Sequence, residues 1–330
     1  QRIDADLDFR ALINSNSIML NKLVIEEGLI HLIKHSDNPD INLAIFLRSL
    51  GKSNADVSQS RSNGIDIGEI IIADIGLFYD NLDKPYQDLT IDPSHVKLNK
   101  IVGNLSDIKV YSDSISVNVN SFSCDVSNKL IQLNSLQAKS LFTAKSIVLN
   151  ELDLDTKRSS VNGDFHIYFD SKKAFKDPFN LLEMEADINS IQLDMKELSL
   201  FAKIPKQISN DQMSVSGVFT GPISRLEGKQ INFEIGDFLS LEGDIFSAGL
   251  PNLQETFLDV ALKNCNFKVN QFFRKIGRDS LKVSESIDRL SYNGKFTGFI
   301  SDFVAKGDFK TEAGNLYTDV NLKIHNNLDN

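Results

Sequence analysis

The chain has 330 residues, 41% hydrophobic and 24% charged, with 18 Gly, 7 Pro and 2 Cys. This composition excludes a collagen-like, disulfide-stapled or intrinsically disordered protein. The net charge of -10 and the lack of a Lys/Arg stripe argue against nucleic acid as a partner.

The first helix predicted in chain order is a short one. After Pro39 and Asp40, apolar residues fall at helical spacing, namely Leu43, Phe46, Leu47 and Leu50. We assign residues 1–60 to an amino-terminal unit that contains this helix. The most apolar window follows at residues 65–79, but it carries three acidic residues and is too short to span a bilayer.

Beyond residue 60, strict alternation of apolar and polar residues predicts strands with one apolar and one polar face. The alternating apolar residues are Ile115, Val117, Val119, Phe165, Ile167, Phe169, Ile231, Phe233, Ile235, Leu258, Val260, Leu262, Val320, Leu322 and Ile324. Such segments recur about every 8 to 12 residues between Asn, Ser, Asp and Gly, which is typical of an antiparallel meander.

Three further short helical segments interrupt these strands. They are predicted to begin after Asp177, at Asp194 and at Asn270. Asp194 and Glu197 have the spacing of a capping box, in which the two residues satisfy backbone N–H groups at the start of a helix. Helices are therefore few, and the chain is predicted to be mainly β.

An internal repeat organises the second half of the chain. Residues 215–224 read VSGVFTGPIS and residues 292–301 read YNGKFTGFIS, a shift of 77 positions, and the helix starts at Asp194 and Asn270 are 76 apart. A fixed period indicates stacked equivalent units. We divide the remaining chain into a groove segment at 61–176 and repeats at 177–265 and 266–330, the last expected to continue past the end of the fragment.

The predicted architecture follows from these features. A long antiparallel sheet with one apolar face, and too few helices to cover it, is expected to curl into an elongated open hydrophobic groove. The alternative interpretation of the same apolar stripes is a closed hydrophobic core. The repeat and the scarcity of helices favour the groove.

No motif points to an enzyme, a cofactor or a metal site. His31 and His35 have the spacing of a helical zinc pair, but alternation predicts a strand and its turn there, so we expect both to face solvent. Cys124 and Cys265 are expected to be two unrelated, semi-buried thiols. A β-helical carbohydrate-active enzyme would need shorter rungs and clustered acids, which are lacking.

Three stretches of the chain resemble the AsmA-like family, and within it the TamB-type translocation and assembly proteins of Gram-negative bacteria, most closely those of Bacteroidota. These are LDFRALINSNSIMLNKLVIEEGLIHLI at 7–33, DPFNLLEMEADINSIQLDMKELSLFAKIP at 177–205, and the sequence from VSGVFTGPIS to LQETFLDV at 215–260. The resemblance implies a repeating β-groove in the periplasm, anchored in the inner membrane by an amino-terminal helix that is missing here. It also implies a BamA-like barrel in the outer membrane as a partner.

The expected function is that of a bridge-like carrier, in which phospholipid acyl chains lie in the groove between the two membranes. Each methylene group gains about 0.8 kcal/mol on leaving water, whether it enters a bilayer or an apolar groove. The free energy of moving an acyl chain from the bilayer to the groove is therefore expected to be close to zero. The alternative is an assembly scaffold whose sheet edge pairs with strands of outer-membrane β-barrel proteins, acting with the BamA-like partner.

Overall fold

The computed structural model describes residues 2–7, 18–35, 41–42, 64–86, 91–92, 94–111, 113–126, 131–200, 204, 206–252, 254–275 and 288–323. Within them, sixteen strands form one mixed sheet that does not close, and the strand order follows the chain order. The prediction of a mainly β chain with an open sheet and a few short helices is confirmed. The predicted helix of Leu43 to Leu50 lies outside the described residues, as does Ile324.

The chain divides into two compact units, Gln1–Arg158 and Ser159–Asn330. The first unit contains the strands β1 (Arg2–Leu7), β2 (Ile18–Lys34), β3 (Ile65–Asn81), β4 (His95–Val110), β5 (Ser114–Val126), β6 (Ile131–Thr143) and β7 (Ser146–Thr156). Strands β2 and β3, at 17 residues each, are the longest in the sheet.

One pair in the first unit departs from the predicted antiparallel meander, because β2 and β3 run parallel. Parallel neighbours need a crossover connection of a dozen residues or more, and the chain between Lys34 and Ile65 is long enough to provide one. Side chains alternate between the faces in both kinds of pairing. The sequence pattern therefore cannot distinguish a parallel from an antiparallel neighbour.

The second unit is antiparallel throughout the strand pairs from β8 to β16. Its elements are β8 (Ser160–Tyr168), a 3-10 turn (Lys172–Lys176), α1 (Pro178–Leu181), β9 (Glu183–Asp194), α2 (Met195–Leu198), β10 (Gln212–Gly221), β11 (Arg225–Ile235), β12 (Leu239–Ala248), β13 (Phe257–Lys268), α3 (Val269–Lys275), β14 (Arg289–Phe299), β15 (Asp302–Thr311) and β16 (Gly314–Lys323).

The helix starts of this unit follow the predicted pattern with one difference. Asp194 caps α2, since its carboxylate accepts a hydrogen bond from the Lys196 N–H at 2.8 Å. The hydroxyl of Ser159 accepts from the Asp194 N–H at 3.1 Å and donates to the Glu197 carboxylate at 2.6 Å, so it bridges the two capping-box residues. Helix α3 begins at Val269, which places Asn270 inside the first turn rather than at the cap.

The sequence repeat corresponds to a structural one. Helix α2 joins β9 to β10, and α3 joins β13 to β14 in the same way. The two copies of the repeated motif lie on β10 and β14, and three intervening strands separate them. A repeat thus comprises four strands and one helical connection.

The strands of the second unit bend at β-bulges beside glycines. The register shifts next to Gly163, Gly217 and Gly243. A Cβ atom at Gly243 would lie 2.2 Å from the carbonyl oxygen of Ala261 on the neighbouring strand. Because bulges bend a strand and increase its twist, this arrangement is consistent with a curled sheet in the second unit.

Candidate functional site

Two unbroken rows of apolar residues cross the second unit, with one residue from each strand in each row. Directly paired residues on neighbouring strands share a face, so the register defines the rows. The first row consists of Phe165, Ala186, Phe219, Gly228, Ile245, Val260, Phe296, Ala305 and Val320, and the second of Val161, Ile191, Val215, Phe233, Leu241, Cys265, Tyr292, Phe309 and Leu316. We call the side of the sheet that carries them the apolar face of the second unit.

Glycines are concentrated between the two rows, on the same face. They include Gly163, Gly243, Gly294 and Gly307. The hydroxyl of Tyr292 reaches across this line and donates to the carbonyl groups of Lys295 and Lys306, at 2.8 and 3.2 Å. The polar tip of the one tyrosine in the two rows is therefore satisfied within the sheet.

The predicted lining residues of this unit can be placed on the same register. Phe165, Phe233, Val260 and Val320 belong to the rows, and the others that share their face are Ile167, Ile231, Ile235, Leu258, Leu262 and Leu322. Phe169 lies just beyond β8, where it is buried against Phe175 with 4.9 Å between the ring centroids.

The first unit has an apolar face of the same construction. Ala5, Leu23, Ile70, Leu105, Val119 and Ala138 form a row across β1 to β6. Ile115 and Val117 lie on this face as well, opposite Phe142 and Ser140 of β6. Its most buried cluster contains Ile75, Ile101 and Cys124.

Among the described residues of the second unit, helical cover over the apolar face is found at one end of the strands. There Met195 of α2 and Phe272 of α3 pack with Ile235 and Phe238. The two clusters over the rest of this face consist of strand residues alone, within the described part of the chain. Row residues such as Phe233 and Phe296 are consequently only half-buried.

The opposite face of the sheet carries a polar network. In the first unit, Lys22 pairs with Glu69 at 2.9 Å, Glu69 accepts from the Asn104 amide at 2.9 Å, and Asn104 accepts from the Asn120 amide at 2.8 Å. These contacts join β2, β3, β4 and β5. The sheet therefore separates an apolar side from a hydrogen-bonded, solvated side.

A second polar cluster was not predicted from the sequence. Asp80 on β3 accepts hydrogen bonds from His31 on β2 and, at 3.2 Å, from Nδ1 of His95 on β4. Nε2 of His95 donates to the Lys84 carbonyl at 2.9 Å, and its ring stacks on Tyr86 with centroids 3.7 Å apart. These residues are far apart in the chain, and only the pairing of three strands brings them together.

The geometry of this cluster favours a charged His95. Both ring nitrogens face oxygen acceptors, which an imidazolium can satisfy and a neutral imidazole cannot. Burial favours the neutral ring, but the hydrogen bonds to Asp80 and the Lys84 carbonyl outweigh it, and the pKa of His95 is raised. The hydrogen bond from His31 in turn lowers the pKa of Asp80. Among the described residues, no three His, Cys, Asp or Glu side chains are arranged to hold a metal ion.

Both cysteines are free, as predicted, but they are buried rather than semi-buried. Each belongs to the apolar face of its unit. Burial raises the pKa of Cys124 and of Cys265 to about 11. Both thiols are therefore protonated at neutral pH and pack as small apolar groups.

These observations define the chain as an open, mixed β-sheet protein with one apolar and one polar face in each unit. Each helix in the described part of the chain falls short of the length and hydrophobicity of a transmembrane segment. Comparison of the chain with protein-family models, with curated proteins and with solved structures gives no significant match.

Proposed function

We propose that the apolar face of each unit holds the acyl chains of phospholipids, and that the protein is a bridge-like lipid carrier of the TamB type. The observation that supports this proposal is the pair of unbroken apolar rows from β8 to β16. The rows run across the strands, so a chain lying along them would meet a non-polar residue at every strand.

The free energy of hydration favours an occupant for such a surface. Apolar surface left in water costs roughly 25 cal/mol per Å² relative to covering it. An acyl chain covers the apolar face and has no hydrogen-bonding groups that would need partners there. Its transfer from a bilayer exchanges one apolar environment for another, so no catalytic step is required.

The resemblance described above supplies the cellular setting of the proposal. It implies a position in the periplasm, with an amino-terminal helix as the anchor in the inner membrane and a BamA-like barrel in the outer membrane as the partner. Nucleic acid has no role in this proposal. The net charge of -10 agrees with that exclusion.

Two substitutions in one strand test the proposal. Phe233→Asp places a charge in the second apolar row, whereas Asn232→Asp places the same charge on the polar face of the same strand. We expect phospholipid in native mass spectra, and transfer of fluorescent phospholipid between vesicles, to fall strongly for the first variant only. Retained lipid and unchanged transfer in a folded Phe233→Asp protein would contradict the proposal. Val320→Asp, on β16, provides the same test at a position in the first apolar row.

A further inference from the structure

The two ends of the strands in the second unit differ in how their apolar side chains are covered. At the end that carries α2 and α3, the helices pack over the sheet, and Lys275 pairs with Asp211 at 2.7 Å. At the opposite end, which holds the β8–β9, β10–β11 and β14–β15 connections, large apolar side chains are exposed. Four of them lie together on the β8–β9 connection and the adjoining β10–β11 turn, namely Phe175, Phe179, Leu181 and Ile223, and we call these four the rim patch.

The rim patch is built on ordered contacts. The Ser224 N–H, next to Ile223, donates to the carbonyl of Phe179 at 2.9 Å, which ties the α1 segment to the β10–β11 turn. Phe175 packs edge-on against the buried Phe169. The Phe175 ring is therefore held on one side by a neighbour while its other side meets solvent.

The exposure is large for side chains of this type. Phe175 is 48% exposed, Phe179 43% and Leu181 52%, all within the single connection between β8 and β9. Scattered exposed apolar residues are ordinary, but several on adjoining turns mark an interaction site. They lie outside the two apolar rows, so an acyl chain in the rows would not cover them.

Positive charge accompanies the exposed rings. Lys173 and Lys176 flank Phe175, and both are exposed. Neither lysine forms an ion pair with a described residue. The nearby Asp177 accepts two hydrogen bonds from the side-chain amide of Asn180, at 2.9 and 3.0 Å. The exposed Asp170 and Asp177 reduce the local charge, but the two lysines lie on either side of Phe175, where they favour an anionic partner over a neutral one.

From this geometry we propose that the rim patch rests on the surface of a bilayer that contains anionic phospholipid. Phe175, Phe179 and Leu181 enter the boundary between head groups and acyl chains, and the two lysines meet the phosphates. Apolar side chains beside lysines are the pattern by which proteins lie on membranes without spanning them. This contact is separate from the carriage of acyl chains, because it uses none of the row residues.

The test is sedimentation of the full chain with vesicles of phosphatidylcholine, with and without phosphatidylglycerol. We expect binding to the anionic vesicles that weakens with added salt. Phe175→Ser and Phe179→Ser should each reduce the partition constant roughly fivefold to tenfold, and the double variant by the product of both. Lys173→Gln with Lys176→Gln should abolish the preference for phosphatidylglycerol. Val304→Ser, which removes a comparably exposed apolar side chain from the polar face, is the matched control and should bind unchanged.

Three results would overturn the inference: no sedimentation of the unchanged protein, equal sedimentation of the Phe175/Phe179 double variant, or self-association in solution that the same double variant removes. The last result would assign the patch to a contact between copies of the chain. Phe233→Asp should still bind vesicles, so loss of lipid carriage and loss of membrane contact can be told apart.

Discussion

The glycines between the two apolar rows provide a quantitative test of how closely the strands approach. Replacing Gly243 by Ala adds a Cβ atom 2.2 Å from the carbonyl oxygen of Ala261 and 2.9 Å from the Cα atom of Leu262. Both contacts are with the backbone of β13, which cannot turn aside as a side chain can. The neighbouring strand must therefore move by roughly 1 Å to restore ordinary van der Waals contact.

Such a movement breaks hydrogen bonds of the β12–β13 ladder at the bulge. Loss of two of these bonds, at about 1 kcal/mol each, together with disturbed packing, gives about 2 to 4 kcal/mol of destabilisation. For a unit of this size each kcal/mol lowers the melting temperature by about 2 to 4 °C. Gly243→Ala is therefore expected to lower the melting temperature of the second unit by about 5 to 15 °C.

Gly76→Ala is the matched control. Its Cβ atom would lie 2.9 Å from Cδ1 of Leu29, the end of an exposed and flexible side chain. Neither glycine has a positive φ angle, so backbone strain does not distinguish the two positions. We expect Gly76→Ala to change the stability by less than about 1 kcal/mol. Calorimetry measures the melting temperatures of both variants. Equal shifts for Gly243→Ala and Gly76→Ala would refute the close approach of β12 and β13.

Two further predictions concern titratable groups. The pKa of Asp80 is lowered in the folded protein, so its contribution to stability is lost as the pH falls below 3.8 and through the folded-state pKa. The pKa of His95 is raised, so its contribution is lost as the pH rises above 6.5 and through the folded-state pKa. His95→Gln should flatten the alkaline side of the stability profile measured by urea unfolding, and an unchanged profile would exclude the Asp80 contact. Cys124 and Cys265 should resist maleimide labelling near pH 7 until the chain is denatured, because both thiols have a pKa of about 11, whereas rapid labelling of the native protein would contradict their burial.

The apolar faces were predictable wherever alternation runs without interruption. Within each of the strands β5, β8, β11, β13 and β16, the apolar residues with period-2 spacing lie on one side of the strand, as the pattern indicates. In strand β3 the sequence pattern does not reveal which residues share a face, because the register shifts between Ile72 and Ile75, next to Asp74 with a φ of 53°. Ile72 and Ile75 consequently point to the same side although they are three residues apart.

Other features carried no local signal. The run of isoleucines in β3 makes it the most apolar window of the sequence, yet its parallel pairing with β2 depends on a distant strand. The contact of His31 and His95 with Asp80 depends on the same pairing. Asp80 and His95 lie opposite each other near the β3–β4 connection. Once the antiparallel pairing of β3 and β4 is known, these two residues are recognisable as a cross-strand pair.

The sequence by itself determined the strands, their two chemically different faces and the repeat, because side chains project to alternate sides of any extended segment whatever its neighbours. Only the tertiary structure decided which strands are parallel, where the bulges lie and which polar groups meet across strands. Those features depend on hydrogen bonds between residues that are distant in the chain, and alternation along a single strand contains no information about its partner.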